Sequence, residues 1–296
     1  MARSSTDVQD LKARVEDAKQ ALTTKLTALT SSDDWKRTLE SMAVLGKTSI
    51  GRLSFRNLLL LISQRPDLAH AATFQAWKSL GRAVRKGERA LYVLKPRFAR
   101  KAGEANDEEK KLVGFGLLPL FALEQTDGPP LEAPVVPCDV ASPDSFAHTV
   151  DRLREVALAH CPHVTSIELR ARTPDDERGV YGWFNRRTQA IVVLTDASPA
   201  QQFATLVHEL AHAILHGAEE HHSRSAKEVE AESTSFVVCH ALGFDTSSFA
   251  LPYVASWAEG DLDAVAAAGE NVRRASMMIL DALHNAGTEH PLVDAA

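Results

Sequence analysis

Two histidines four residues apart, His208 and His212, with Glu209 directly after the first, stand in the segment LVHELAHAILHG over residues 206–217. Residues four apart on a helix differ by about 40° in angle and one turn in height, so both imidazoles project from one face. That spacing suits a single zinc ion held in tetrahedral geometry. Glu209 lies beside the ion, where it can take a proton from a water whose pKa the metal has lowered. Leu206, Val207, Leu210, Ala211, Ile214 and Leu215 make the rest of the helix apolar. The helix is therefore expected to be buried, and two histidines without partners inside a core would be costly. Coincidence is the competing account, but this composition supplies only about 0.03 such matches per chain.

A two-histidine site needs a third donor. His216 extends the same stripe but lies about 12 Å of helix rise beyond His208, too far to share one ion with it. The longer pattern HExxHxxGxxH is absent, because positions 215 and 218 are Leu215 and Ala218. His221 and His222, in a polar stretch, stay open as donors. The later helical segment KEVEAESTSFVVCHALG offers carboxylates. Glu228 and Glu232 share a face there, while Glu230 points about 200° away from Glu228. Glu228 is the preferred third ligand, with Glu232 placed to orient a ligand histidine from behind. The bland alternative is a solvated glutamate face. HELAHAILHG followed by EVEAES resembles the gluzincin pattern, in particular the ImmA/IrrE-like metallopeptidases, over roughly residues 145–250. That resemblance implies that the first glutamate of an E-x-x-A segment, here Glu228, completes the zinc site.

Several elements must position these groups. Ser198 followed by Pro199 is a strong helix start, and the helix should run to His216 and close at Gly217. Another helix is expected from about Ala226 to Leu242. VYGWF and AIVVLT, separated by NRRTQ, predict a hairpin; SIELRA predicts a strand and residues 145–160 a helix. Five of the 13 prolines fall within GPPLEAPVVPCDVASP, marking a linker. Ahead of it, Val8, Leu11, Val15, Ala18, Leu22, Leu26 and Leu29 recur at helical steps. A second helix should run from Ser54 to Gln64, stopped at Arg65 by Pro66. Thr73 caps a short helix through Trp77 and Leu80 ended by Gly81, and residues 90–96 and 113–123 predict two strands.

Charge is split along the chain. Residues 1–128 carry 22 Lys and Arg against 15 Asp and Glu; residues 129–296 carry 11 against 24. Between Lys78 and Lys101 stand nine basic residues and one acid, with Phe74, Trp77, Tyr92 and Phe98 interleaved or nearby. Cations that track phosphates and aromatics that stack on bases are the ingredients of a single-strand binder. Trp77, Lys78, Arg82, Arg85, Lys86, Arg89 and Arg97 are the candidate contacts, although aromatics in so small a domain are more often core, and Trp77 stands open to either reading. NLLLLISQ, then TFQAWKSLGRAVRKGERALYVLKP, then LFALEQTDG resembles the N-terminal domain of ArdC-type antirestriction proteins, over about residues 35–128. This resemblance implies single-stranded DNA as a partner and fusion to a zincin-like domain. Where that family has an aspartate before its Gln-Thr pair, this chain has Leu123 and Glu124.

The expected fold is therefore α+β in two domains: residues 1–128 a small nucleic-acid-binding domain, 129–145 a linker, and 146–296 a zincin-like metallopeptidase domain with one Zn2+. The expected partners are single-stranded DNA and an unidentified protein substrate, such as a repressor or restriction component. The alternative is a DNA-binding antirestriction accessory with a structural or vestigial zinc and no proteolysis. Tyr181, His240, His284 and His290 are candidates to steady an oxyanion. Three scattered cysteines, no apolar leader and no long apolar run point to the cytoplasm and away from membranes.

Overall fold

A computed structural model describes residues 5–29, 31–46, 48–100, 110–131, 143–185, 187–217, 223–247, 249, 251, 258 and 260–284. The fold is α+β and divides into two compact units, one of residues 1–28 and 53–131, the other of residues 29–52 and 132–296. The division is not contiguous in sequence. Residues 29–52, which a linear reading leaves at the front, belong to the second unit.

In the first unit, α1 (Ser5–Ala28) buries Val15, Leu22 and Leu26, three positions of the expected stripe. The next helix, α2 (Ser32–Gly46), belongs to the second unit and is taken up there. α3 (Phe55–Gln64) buries five consecutive residues, Leu58 to Ile62. It stops at Arg65, whose extended backbone is what Pro66 demands of its predecessor. β1 (Ala71–Ala72) leads to α4 (Phe74–Ser79), where the Thr73 side chain accepts a hydrogen bond from the backbone N–H of Ala76. β2 (Ala83–Val84), β3 (Leu91–Arg100), β4 (Lys110–Ala122) and β5 (Thr126–Asp127) follow. The sheet order is β1-β4-β3, with β2-β5 a separate pair.

β3 is an edge strand, and two amides of α3 cover that edge. Asn57 donates to the carbonyl of Leu94 (2.9 Å) and accepts from its N–H (3.0 Å). Gln64, two helical turns on, does the same with Tyr92 at 2.8 and 2.9 Å. Spacings of seven on a helix and two on a strand bring these pairs into register, satisfying backbone groups that would otherwise invite another strand.

The second unit holds α2, α5 (Pro143–His160), β6 (Ser166–Arg170), β7 (Gly182–Asn185), β8 (Ala190–Leu194), α6 (Pro199–His216), α7 (Arg224–Ala241) and α8 (Leu262–His284). β8 is buried throughout and lies between β6, parallel to it, and β7, antiparallel. β7 is thus an edge of this sheet. α2, which periodicity in the sequence analysis passed over, buries Trp35, Leu39, Met42 and Ala43 and packs on α7. The indole of Trp35 donates to Ser233 Oγ at 3.0 Å, so its one polar atom is satisfied inside the core. Among the described residues, no helix is long and apolar enough to cross a membrane.

Candidate metal centre

α6 begins as its sequence dictates. Ser198 Oγ accepts from the N–H of Gln201, and Pro199 occupies the first turn. Phe203, Leu206, Val207, Leu210 and Ala211 are fully buried and fix the helix against its neighbours. Its end differs from the usual glycine stop. Gly217 sits in right-handed geometry, φ −63°, and leaves room for a neighbour: a Cβ there would lie 1.8 Å from the His163 ring, which would have to turn aside. α7 starts at Ser223, whose Oγ accepts from Ala226 N–H, and Ser235 Oγ donates to the carbonyl of Ala204 to stitch it to α6.

This packing brings His208, His212 and Glu228 together, one ligand atom from each lying within 4.8 Å of the others. His208 Nε2 and His212 Nε2 are 3.1 Å apart, and Glu228 Oε2 is 3.6 Å from the first and 3.5 Å from the second. A tetrahedral ion with ligand distances of about 2.0–2.1 Å holds its donors about 3.3–3.4 Å from one another. The three atoms are already spaced for such an ion. Glu232 Oε2 lies 3.1 Å from His208 Nδ1, so this imidazole donates to the carboxylate from Nδ1 and turns its Nε2 to the centre, where a metal ion would replace the proton there.

The electrostatics reflect three acceptors crowded together. Burial disfavours a charged His208, but Glu228 and Glu232, with the field of Glu209, outweigh it and lift its pKa to about 9. The same histidines hold the Glu228 carboxyl well below the usual range. Glu209 moves upward: burial and the Glu228 charge favour its proton, against His208, His212 and the backbone N–H of Phe184. A carboxylate raised in this way is a stronger proton acceptor than a solvated one. Gly182 makes room for it. A Cβ on Gly182 would fall 2.5 Å from Thr205 Cγ2 and 3.6 Å from Glu209 Cγ, so only glycine lets edge strand β7 run this close to the α6 face that carries Glu209.

Two residues without an assigned role in the sequence analysis belong to the same cluster. His216 Nδ1 lies 3.2 Å from His212 Nδ1, and His216 Nε2 lies 2.8 Å from Glu230 Oε2. Glu230, far from a solvated face, is buried beneath α8, where Asn271 donates to its Oε1 at 2.9 Å. The helical angle that turns Glu230 away from Glu228 was legible; what waited there was not. Of the oxyanion candidates, His240 is engaged with Thr246 Oγ1 (3.1 Å) and stacked on Phe236, and Tyr181 lies beneath Arg172 at the start of β7. His284 is half-buried at the end of α8, its Nδ1 without a hydrogen-bond partner. His221, His222 and His290 lie outside the described residues.

The basic stretch of the first unit divides sharply. Trp77 is fully buried and its indole donates to the carbonyl of Phe121 at 2.8 Å, so it presents no face to a base and is corrected to a core residue. Arg82 is spent on the fold: it donates to Thr126 Oγ1 (2.8 Å), the Thr126 carbonyl (3.0 Å) and Gly128. Arg85 pairs with Glu88 and Asp127 at 2.8 and 3.3 Å. Both guanidiniums thus hold carbonyls or carboxylates around the adjoining β5 turn, Arg82 half-buried and Arg85 still exposed. Lys78, Lys86, Arg89 and Arg97 face outward. Phe74 and Phe98, 57% and 56% exposed, are the most open aromatic rings among the described residues.

Comparison with known proteins finds two family matches, the first of which runs through residues 29–52 as well as the first unit. Residues 12–116 match the N-terminal domain of anti-restriction factor ArdC, and residues 165–255 match the IrrE N-terminal-like domain, a peptidase family. The chain therefore has the ArdC-type architecture, an ArdC N-terminal domain followed by an IrrE-like domain. It is 28% identical over 248 residues to an uncharacterised protein of Bacillus anthracis, covering 70% of this chain and 41% of that one. It thus spans about two-fifths of the length of that relative. Two crystal structures of the antirestriction ArdC protein from the R388 plasmid are similar. The metal-free form gives TM-score 0.48 and 22% identity, with 78% of this chain and 85% of that one covered. The Mn(II)-bound form gives TM-score 0.45 and 20% identity, with 78% and 89% covered.

Proposed function

We propose that this chain is a zinc-dependent metallopeptidase-type protein that binds single-stranded DNA and serves antirestriction. The observation that carries the enzymatic reading is the spacing of His208, His212 and Glu228 with Glu209 alongside. His208 and His212 would hold the ion through Nε2 and Glu228 through a carboxylate oxygen, one ion per chain. When bound, the metal supplies Lewis acidity to a water and to a scissile carbonyl. Glu209, kept off the ligand set and raised in pKa, takes the proton of the attacking water. The edge of β7, whose Phe184 N–H reaches Glu209, offers backbone groups along which an extended peptide can lie as an added strand. The substrate is then a segment of another protein, with a restriction component or a repressor as the class to try first.

For the first unit, the support is four outward cations, Lys78, Lys86, Arg89 and Arg97, with Phe74 and Phe98 exposed nearby in sequence. This pairing suits a backbone-tracking, sequence-tolerant single-strand binder. Cys161 and Cys239 are buried, and burial pushes the Cys161 thiol up to about 11, in keeping with a reducing cytoplasm.

Metal content of the wild type beside Glu228→Ala tests the site. One zinc per chain in the first and a marked loss in the second is expected; equal content in both would remove Glu228 from the ligand set. Glu209→Gln that retains metal and the antirestriction phenotype would establish the non-proteolytic accessory reading instead. A fluorescence titration with oligonucleotides tests the first unit, and equal or tighter binding to duplex overturns the single-strand assignment.

A further inference from the structure

The two histidines of the metal centre are backed differently. His208 leans directly on Glu232, a carboxylate 27% exposed. Behind His212 stands a second imidazole, and behind that a carboxylate, with the side chains of His216 and Glu230 each 5% exposed. An ionised carboxylate only accepts, so with both imidazoles neutral the direction of each hydrogen bond in this relay follows. Asn271 Nδ2 donates to Glu230 Oε1. His216 must therefore donate its Nε2–H to Glu230 Oε2, which leaves its Nδ1 to accept from the Nδ1–H of His212, 3.2 Å away. His212 then carries its proton on Nδ1, and its Nε2 lone pair faces Glu228.

We propose that Glu230, anchored by Asn271 and acting through His216, is the positioning group that fixes the tautomer and ring orientation of His212. The relay does for one imidazole what Glu232 does for the other. The reverse proton order would place Nε2–H of His212 in the middle of the donor triangle, where it cannot ligate. Burying a carboxylate is costly unless its oxygens are satisfied. Here both are, by one residue that reaches the centre and one that belongs to α8. Through Asn271 the last described helix is coupled to the geometry of the ligand set. A helix-to-helix staple would explain the Asn271–Glu230 contact but not the placement of a second histidine between the carboxylate and His212.

This inference rests on the metal-centre reading, and Co2+ alone separates the two. Visible d–d absorption is titrated in the apo full-length chain, with circular dichroism and a thermal midpoint recorded for each variant. Wild type is expected to take one equivalent with the intense bands of a four-coordinate ion; no uptake by wild type overturns the centre and the relay together. Glu230→Gln, which keeps the shape and removes the charge, should weaken Co2+ affinity about 10-fold, and His216→Leu up to about 100-fold. His216→Gln should recover most of that loss, because its amide can accept from His212 and donate to Glu230. If His216→Leu does not fold, Glu230→Gln and His216→Gln decide. Wild-type uptake with variant affinities and band positions unchanged within twofold would show the relay to be only a staple.

Discussion

The metal centre and the basic stretch are both rich in residues that do chemistry, yet only one of them survives folding as its sequence lists it. At the centre, His208, Glu209 and His212 keep the relation that the helix period gives them, and Glu228 arrives to meet them. In the basic stretch, Trp77 goes to the core, while Arg82 and Arg85 divide themselves between the surface and the turn at β5. A ligand set needs its members at fixed separations, and a rigid helix supplies them. A binding surface needs only leftover charge, and what is left over depends on every neighbouring acceptor.

The most forceful way to break this contrast is Glu209→Gln. Hydrolysis of an unstructured protein substrate should fall by about 10²–10⁴-fold, the range for a lost general base, with metal content unchanged. Undiminished hydrolysis would take the proton-transfer role from Glu209. Next comes Trp77→Ala, expected to cost about 3–5 kcal/mol in denaturant unfolding of the first unit, as for any large buried aromatic. A variant of wild-type stability that had lost DNA affinity would instead restore Trp77 to the interface.

Phe98→Ala sharpens the comparison from the other side. Stability should hold within about 0.5 kcal/mol, while single-strand affinity drops by about 1–3 kcal/mol if the ring stacks on a base. Smaller still, Lys78→Ala or Arg89→Ala should each lower the salt-dependence slope of binding by about 0.7, one phosphate's worth. Arg82→Ala should destabilise the β5 turn and leave that slope alone. The least effect concerns His70, which lies edge-on to Trp77 with its Nε2 lacking a hydrogen-bond partner. Burial lowers its pKa below the ordinary 6.5 despite the nearby Glu124. Because the folded state disfavours the proton, this contribution is complete above pH 6.5 and is lost as pH falls toward the folded value. Urea midpoints from pH 7.5 to 5 should decline less in His70→Gln than in wild type.

Legibility followed the range of the interactions. Ser198 and Pro199, Thr73 and its short helix, and the stop before Pro66 are local devices, and each sits where spacing places it. Glu232 behind His208 was foreseeable because one helical turn separates it from Glu228. Missing were α2, whose buried Trp35 finds its partner Ser233 far along the chain, and the amides Asn57 and Gln64, which look like ordinary helix polars until β3 lies beside them. The buried pair of His216 and Glu230 was hidden for the same reason: its third member, Asn271, lies on α8.

By itself, then, the order of amino acids determined which side chains share a helix face, where helices start, and that two imidazoles and a nearby acid stand ready for a cation. Periodicity and capping need only a few consecutive residues, so they are written in one dimension. The tertiary structure alone decided that Glu230 stands behind His212 by way of His216, and which cations remain outside. Those outcomes depend on separations between elements distant in sequence: in the second unit on how the buried faces of α6, α7 and α8 fit together, in the first on what the β5 turn offers the nearby cations.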